Sequence, residues 1–86
     1  MAEVAAQIKI MPNGPNVDLE DLSTRIESRV AQYGRIHSCE VEPIAFGLKA
    51  LKILIVVPDK ELGDIEEKIR KVKGVSEVEA GSATLL

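Results

Sequence analysis

Few residues of this chain have types and spacings that could carry chemistry. His37 and Cys39 lie two apart, so on a strand they would share one face and could both ligate a metal ion. Two ligands do not make a site, and the sequence holds no second histidine or cysteine. A partly buried cysteine beside a histidine of an edge strand is the simpler interpretation. We therefore predict no metal site and no cofactor.

The carboxylates do not form a recognisable catalytic arrangement either. Glu40 and Glu42, like Glu77 and Glu79, have the spacing of a solvated strand face, although they could also face a basic partner. The sequence has no glycine-rich phosphate loop, and no serine or cysteine stands in an activating arrangement. We predict that the chain is not an enzyme and catalyses no covalent reaction.

Composition narrows the class of protein. The 86 residues suffice for one domain, residues 1–86, and the 2% of aromatic residues means that its core must be aliphatic. The net charge of −3 argues against direct nucleic-acid binding. The single cysteine suits a reducing compartment, residues 53–57 are too short an apolar run for a membrane span, and no secretory signal is visible. We expect a cytoplasmic domain, monomeric when free, that contacts neither nucleic acid nor membrane.

The first half of the chain has the pattern of a strand, a helix and a second strand. In residues 3–11 alternate positions are apolar, and a helix should follow, capped by Asp18 and stopped by Gly34. Its apolar stripe is Leu19, Leu22, Ile26, Val30 and Tyr33. Residues 35–44 predict an edge strand that ends near Pro43. One face of this strand would carry His37, Cys39 and Val41, and the other Ile36, Ser38, Glu40 and Glu42.

The second half repeats the pattern. Residues 48–57 predict a central strand, because both of its faces are apolar. A helix follows, with Asp59 or Asp64 as its cap and Gly74 at its end, and its stripe is Leu62, Ile65, Ile69 and Val72. Residues 75–79 predict a last strand, which the tail 80–86 could extend.

Two strand–helix–strand halves predict an α+β, ferredoxin-like βαββαβ plait. Right-handed crossovers place both helices on one face of a four-stranded antiparallel sheet with the order 4-1-3-2. The helix-free face would then carry Gln7, Lys9, Met11, Lys52, Leu54 and Val56. Met11, Leu54 and Val56 would form a small apolar patch, which is either a partner surface or ordinary exposed apolar area.

This architecture serves many functions, so the residues that each one needs decide among them. An RNA-recognition domain needs aromatic residues on its strands, and the predicted strands have none. A metal carrier would show two close cysteines in the first loop, and an acylphosphatase would show an arginine there, but no arginine precedes Arg25. A small ligand-binding or regulatory domain stays open, because such sites can be built from backbone and glycine.

The segment Glu42-Pro43-Ile44-Ala45-Phe46-Gly47-Leu48-Lys49-Ala50-Leu51 carries a family resemblance. It resembles the Pro-Ile/Val-Gly/Ala-Phe/Tyr-Gly-Ile/Leu-Lys-x-Leu segment of the translation elongation factor 1-beta family. The start of the chain, with Val17-Asp18-Leu19 after a short loop, and the join Val72-x-Gly74-Val75 resemble the archaeal form. The resemblance covers essentially the whole chain and implies the same plait.

The resemblance implies a guanine-nucleotide exchange factor that promotes GDP release and GTP loading on the GTPase elongation factor 1-alpha. Phe46 would be an aromatic anchor inserted into the GTPase and held out by the turn at Gly47; alternatively it folds back and caps the sheet core. The partner-binding set that the resemblance implies is Phe46, Gly47, Pro43, Ala45, Lys49 and Leu85. The alternative function is the ligand-binding or regulatory plait, without exchange activity.

The chain departs from the family at its C-terminal end. Eukaryotic members have a lysine there that is associated with disturbing the Mg²⁺ site of the GTPase, whereas no basic residue follows Lys73 in this chain. Exchange would then rely on the turn and on packing of the tail, or on charge from Lys49 or Lys52, or the activity differs.

Overall fold

Four strands and two helices alternate along the chain in the predicted order. The computed structural model describes residues 2–86, with the backbone alone at Phe46. The elements are β1 (Glu3–Pro12), α1 (Leu19–Val30), β2 (Arg35–Pro43), β3 (Lys49–Pro58), α2 (Leu62–Arg70) and β4 (Val75–Leu85). Across the described residues, no helix combines the length and the hydropathy that crossing a membrane requires.

The sheet has the order β2-β3-β1-β4, and every neighbouring pair is antiparallel. This is the predicted order 4-1-3-2, which is confirmed. The core lies on one face of the sheet, where Ile8 of β1 stands opposite Ile53 of β3 and both are fully buried. Leu22 and Ile26 of α1 and Ile65 and Ile69 of α2 complete the same cluster. Burying side chains of this size contributes about 1.5–3 kcal/mol each.

The N-terminus of α1 is built as predicted. The Asp18 carboxylate accepts hydrogen bonds from the backbone N–H groups of Glu20, at 3.0 Å, and Asp21, at 3.3 Å. These are donors that the first helical turn cannot satisfy itself, so a cap of this kind stabilises the helix by about 1 kcal/mol.

The predicted role of Gly34 is wrong. Helix α1 ends at Val30, four residues before the glycine, and Ala31 is its cap. Tyr33 therefore lies beyond the helix, yet it packs against the core, and its ring centroid is 5.7 Å from Lys68 Nζ. Gly34 is required instead by close packing, because a Cβ there would lie 2.1 Å from the backbone oxygen of Val56.

The predicted caps of α2 are also wrong. Neither Asp59 nor Asp64 is the cap; a short 3₁₀ turn, Asp59–Glu61, leads directly into the helix, and Glu61 makes no capping hydrogen bond through its side chain. The predicted end of the helix at Gly74 is wrong too: the helix ends at Arg70 with Lys71 as its cap, and Gly74, with φ 101°, turns the chain into β4.

Strand β4 runs the full length of β1. The segment 80–86 was predicted only as a possible extension, but Leu85 pairs with Val4, and the Leu86 N–H donates to the Glu3 carbonyl at 2.9 Å. The extension forms because it satisfies backbone groups along the second edge of β1, which would otherwise lack partners.

The predicted faces of β2 are wrong at its start. The register shifts between Ile36 and Ser38, so Ile36 pairs with Ile55 while Cys39 pairs with Ile53. Ile36 therefore shares the core side with Cys39 and Val41, and it packs against the core. A bulge of this kind changes the side-chain alternation without any mark in the composition.

The contact at Gly34 can be tested by adding one methyl group. We expect Gly34→Ala to lower the free energy of unfolding by about 2–3 kcal/mol, because the new Cβ must displace backbone of β3. Urea denaturation followed by circular dichroism would measure the change.

Gly63→Ala is the matched control. A Cβ at Gly63 meets nothing within 4 Å and lies in α2, so this variant should be neutral or up to about 1 kcal/mol more stable. Equal effects of the two substitutions would contradict the packing explanation.

Candidate functional site

The β2–β3 hairpin ends in a tight turn at one end of the sheet. The strand pairing ends at Pro43 opposite Lys49, and the five residues 44–48 connect the two strands. Inside the turn, the Ile44 N–H donates to the Leu48 carbonyl at 2.7 Å, and the Leu48 N–H donates to the Ala45 carbonyl at 3.3 Å. These bonds fix the shape of the loop, so its exposed residues are presented in a defined arrangement.

Gly47 is required by the conformation of this turn. Its φ is 76°, in the left-handed region that other residues adopt at a cost. A Cβ at this position would meet nothing within 4 Å, so lack of space is not the reason for the glycine. The backbone of Phe46 lies in the same turn, Ala45–Gly47; the predicted role of its side chain falls outside what the structure describes.

The structure brings most of the predicted partner-binding residues together, but not all. Pro43, Ala45, Gly47 and Lys49 lie in the hairpin and are exposed. Leu85 is also exposed, at 65%, but it pairs with Val4 at the opposite end of the sheet. Strand β4, with eleven residues, runs between the two ends of the sheet and spans about 33 Å. Leu85 therefore cannot belong to a single small site with the hairpin.

Two other segments lie beside the hairpin. The loop between β1 and α1 is tied to the turn before β4 by a hydrogen bond from the Asn13 N–H to the Gly74 carbonyl, at 2.9 Å. Between this loop, the first turn of α1 and the hairpin lies a groove of about 380 Å³. Its hairpin wall is formed by Val41, Gly47 and Lys49.

The groove was not predicted from the sequence. The predicted topology could have indicated it, because the end of β1 and the start of β3 must lie together at one end of an antiparallel pair. The loop after β1, with Pro12 and Pro15, is thereby brought to the hairpin. We call the surface formed by residues 43–49 and this groove the hairpin end.

The helix-free face of the sheet is mostly charged at its centre. Lys9 pairs with Lys52, and glutamates flank this pair, with Glu40 opposite Lys52 and Glu79 opposite Lys9. Glu42 Oε2 lies 4.0 Å from Lys9 Nζ. The glutamates that were predicted as solvated faces thus compensate the two central lysines, which would otherwise repel each other.

The predicted apolar patch on this face is wrong. Met11 pairs with Glu77, and the row of Lys9 and Lys52 lies between it and Leu54. Val56, farther along β3, is 5% exposed and offers little surface. The three apolar side chains therefore do not form one contact surface.

His37 and Cys39 are both exposed on β2, the outer strand of the sheet. Residues 2–86 contain no cluster of three or more histidine, cysteine or acidic side chains that could hold a metal ion. Cys39 is exposed rather than partly buried as predicted, because it lies on the outer strand of the sheet. Desolvation nevertheless raises the pKa of its thiol, and the negative charge of Glu27 adds to the shift. A thiol with a raised pKa is mostly protonated at neutral pH and is a poor nucleophile.

Comparison with known proteins identifies the family. The EF-1 guanine nucleotide exchange domain matches residues 5–86. The chain belongs to this family. Elongation factor 1-beta of Methanococcoides burtonii is 47% identical over 81 residues, which cover 92% of this chain and 91% of that protein. Elongation factor 1-beta of Methanothermobacter thermautotrophicus is 44% identical over the same length. The predicted resemblance is confirmed, and guanine-nucleotide exchange is the function of the family.

Solved structures confirm the architecture. The ACT domain of the GTP pyrophosphokinase of Chlorobium tepidum, in its solution structure, superposes with a TM-score of 0.64 and 23% identity, covering 93% of this chain and 88% of that one. A crystal structure of the same domain gives a TM-score of 0.62 at 18% identity. At this identity the likeness concerns the fold alone.

The electrostatic cause of the raised Cys39 pKa can be tested. We expect the rate of alkylation by iodoacetamide to rise with pH through a midpoint above that of an ordinary thiol, because only the thiolate reacts. Glu27→Gln removes a negative charge that disfavours the thiolate, so it should lower this midpoint. Glu20→Gln, in the first turn of α1, serves as the control, and an equal shift in both variants would exclude a specific effect of Glu27.

Proposed function

We propose that this protein is the exchange factor of the GTPase elongation factor 1-alpha, and that it contacts the GTPase through the hairpin end. The observation that supports the partner is the match of residues 5–86 to the EF-1 guanine nucleotide exchange domain. The name of its relatives, elongation factor 1-beta, agrees with it. Because translation takes place in the cytoplasm, we propose that the protein acts there.

Nucleotide exchange depends on a difference between the affinities of the exchange factor for the nucleotide-free and the GDP-bound GTPase. A protein that binds the nucleotide-free GTPase more tightly than the GDP-bound form must weaken GDP binding by the same factor. No covalent bond is made or broken on this chain in such a process. The chain only has to present a surface that fits the GTPase once its phosphate and Mg²⁺ contacts have been disturbed, so we propose that it is not an enzyme in the chemical sense.

The hairpin turn has the properties that such a surface needs. Its backbone is held by hydrogen bonds between Ile44 and Leu48 and between Leu48 and Ala45. Pro43, Ala45, Gly47 and Lys49 are exposed, whereas Ile44 and Leu48 are half-buried. A preorganised loop loses little conformational entropy when it binds. We propose Pro43, Ala45, Phe46, Gly47 and Lys49 as the contact, with Phe46 as its aromatic anchor.

Lys49 is better placed than Lys52 to supply positive charge to the contact with the GTPase. It is exposed at the base of the turn, whereas Lys52 is half-buried on the helix-free face opposite Glu40. We propose that Lys49 takes part in the contact, since no basic residue follows Lys73 in the C-terminal strand.

The alternative, a regulatory domain that binds a small ligand, has less support. The likeness to an ACT domain is one of fold and carries no ligand with it. The described residues also contain no buried side-chain polar atom that lacks a hydrogen-bond partner, as a prepared polar ligand site often would.

The proposed activity is tested by release of a fluorescent GDP analogue from elongation factor 1-alpha. We expect catalytic amounts of this protein to accelerate release at least tenfold, with the effect saturating as its concentration rises. An unchanged rate, with GTPase from the organism that supplies this chain, would exclude the proposal.

Phe46→Ala tests the aromatic anchor. If Phe46 inserts into the GTPase, exchange should slow by tenfold or more while the free energy of unfolding stays within about 0.5 kcal/mol of the original protein. A loss of about 3–5 kcal/mol in stability would instead indicate a side chain buried in the core of this protein.

Lys49→Gln tests whether the positive charge of Lys49 contributes to the contact with the GTPase. We expect slower exchange whose difference from the original protein shrinks as salt is added, because an exposed charge is screened. Lys60→Gln is the matched control, since Lys60 is exposed near the opposite end of the sheet. Equal effects of the two substitutions would mean that only net charge matters.

A further inference from the structure

Strand β2 forms one open edge of the sheet. It pairs with β3 along one side, whereas its other side has no strand beside it within residues 2–86. Seven of its nine residues are exposed, and they include Val41, an apolar side chain with 52% of its surface in water. The unpaired backbone groups of such an edge can hydrogen-bond to a strand of another chain, so β2 is a candidate interaction surface.

The bulge in β2 decides which residues share a side of the strand. Ile36 pairs with Ile55 and Ser38 with Leu54, and because these two are consecutive residues of β3, His37 is the extra residue of the bulge. The core side of β2 therefore carries Ile36, Cys39 and Val41, and the helix-free side carries Arg35, Ser38, Glu40 and Glu42. On the helix-free side the basic residue lies at the start of the strand and the acidic residues lie towards its end.

An antiparallel second copy of β2 matches this pattern along its length. When a two-fold axis passes through the pair of Cys39 residues and the bulge residue is skipped in each strand, all opposite residues lie on the same side. The pairs are Arg35 with Glu42, Ile36 with Val41, Ser38 with Glu40, and Cys39 with Cys39 of the second copy. Opposite charges then face each other twice, because a two-fold axis makes each contact occur in both directions. Glu42 retains capacity for this contact, since its Oε2 lies 4.0 Å from Lys9 Nζ.

The same register brings the exposed valine to an open corner of the core. A cavity of about 240 Å³ lies between the end of α1 and the start of β2, and it is lined by Glu27, Ala31, Gly34, Arg35 and Ile36. Val41 of the second copy stands opposite Ile36 on this side of the sheet, so its side chain lies beside the cavity. Removing this apolar surface from water favours the association.

Other edge pairings match less well. From Val75 to Leu85 the second open edge, β4, carries Glu77 and Glu79 and no basic residue, so two copies of β4 would gain no ion pair. On β2 itself, an axis through Ser38 would pair Arg35 with Glu40 but would leave the last part of the strand, with Val41, beyond the partner's strand.

We infer that two copies of this protein associate through β2, about a two-fold axis at Cys39, and that their sheets join into one. The inference does not depend on the GTPase. It differs from the monomer that the sequence led us to expect, because the matching of sides depends on the bulge after Ile36, which becomes visible only when β2 is paired with β3. An interface of two nine-residue strands is small, so we expect a dissociation constant of about 10–100 µM.

Charge reversal tests the pairing. Sedimentation equilibrium of the original protein should show dimers, and we expect Arg35→Glu and Glu42→Arg each to weaken dimerisation by about tenfold or more, since each change places like charges opposite each other twice. The double variant Arg35→Glu/Glu42→Arg restores the opposite charges, so its dissociation constant should return to within about threefold of the original value. Circular dichroism would confirm that each variant is folded.

Arg35→Glu/Glu40→Arg is the matched control. It has the same net charge as the rescuing variant, and both glutamates lie near a lysine, Glu40 opposite Lys52 and Glu42 near Lys9. In the proposed register residue 40 faces Ser38 of the second copy, so this variant should dimerise as weakly as Arg35→Glu alone.

Cys39 reports the position of the axis directly. Opposite residues of an antiparallel pair have Cα atoms about 4.5–5.5 Å apart, which a disulfide can span. With copper phenanthroline as catalyst and dissolved oxygen taking up the two electrons and two protons of the thiols, we expect a covalent dimer through Cys39. The variant Ser38→Cys/Cys39→Ser, which carries its only thiol on the other side of the strand, should cross-link about tenfold more slowly.

Three results would overturn the inference. One is a protein that remains monomeric at about 1 mM. Another is rescue by Arg35→Glu/Glu40→Arg that equals the rescue by Arg35→Glu/Glu42→Arg. The third is cross-linking of the Ser38→Cys/Cys39→Ser variant as fast as that of the original protein. Each of these results leaves the proposed function intact, because none of the measurements involves the GTPase.

Discussion

The pairing of β1 with β3 at the centre of the sheet is the interaction on which the other elements depend. These strands meet along residues 3–10 and 51–58, and their inward side chains, such as Ile8 and Ile53, are fully buried. Both helices pack on the apolar surface that this pair creates, and both outer strands add to its edges. The antiparallel register also decides that the loop after β1 and the hairpin before β3 come together at the same end of the molecule. The hairpin end is thus a consequence of the register that fills the core.

The two faces of the sheet and the hairpin end therefore have different roles. One face of the sheet is used for stability, and the charged row on the other face is largely compensated within itself, so neither offers an obvious recognition surface. The exposed loops at the hairpin end are held in place by the ends of these strands. Loops on a rigid scaffold can vary for recognition without a large cost in stability. Such rigidity favours binding of a partner, because conformational freedom lost on binding would lower the affinity for that partner.

The sequence was sufficient for the fold because its strong patterns extend over whole elements. The alternation of Val4, Ala6, Ile8 and Ile10 and the helical stripe of Leu22, Ile26 and Val30 are long enough to define their buried faces, and both are confirmed. What could not be predicted depends on contacts between distant residues. The bulge after Ile36 is set by pairing with β3, and the need for Gly34 comes from the backbone of Val56. The same holds for the hairpin end: its turn was visible in a local motif, whereas the groove needs three segments that only the folded chain brings together.

The pairing of β1 with β4 has a consequence for synthesis of the chain. Among the four strands of the sheet, β1 leaves the ribosome before the others and β4 leaves it after them, yet the two are neighbours in the finished sheet. Until residues 75–85 emerge, one edge of the central strand pair has no partner, and native pairing across such a sequence separation closes slowly. The eleven residues of β4 therefore cover the open edge of β1, and a ribosome that stalls before residue 75 would hold a chain whose unpaired strand edge could pair with other chains.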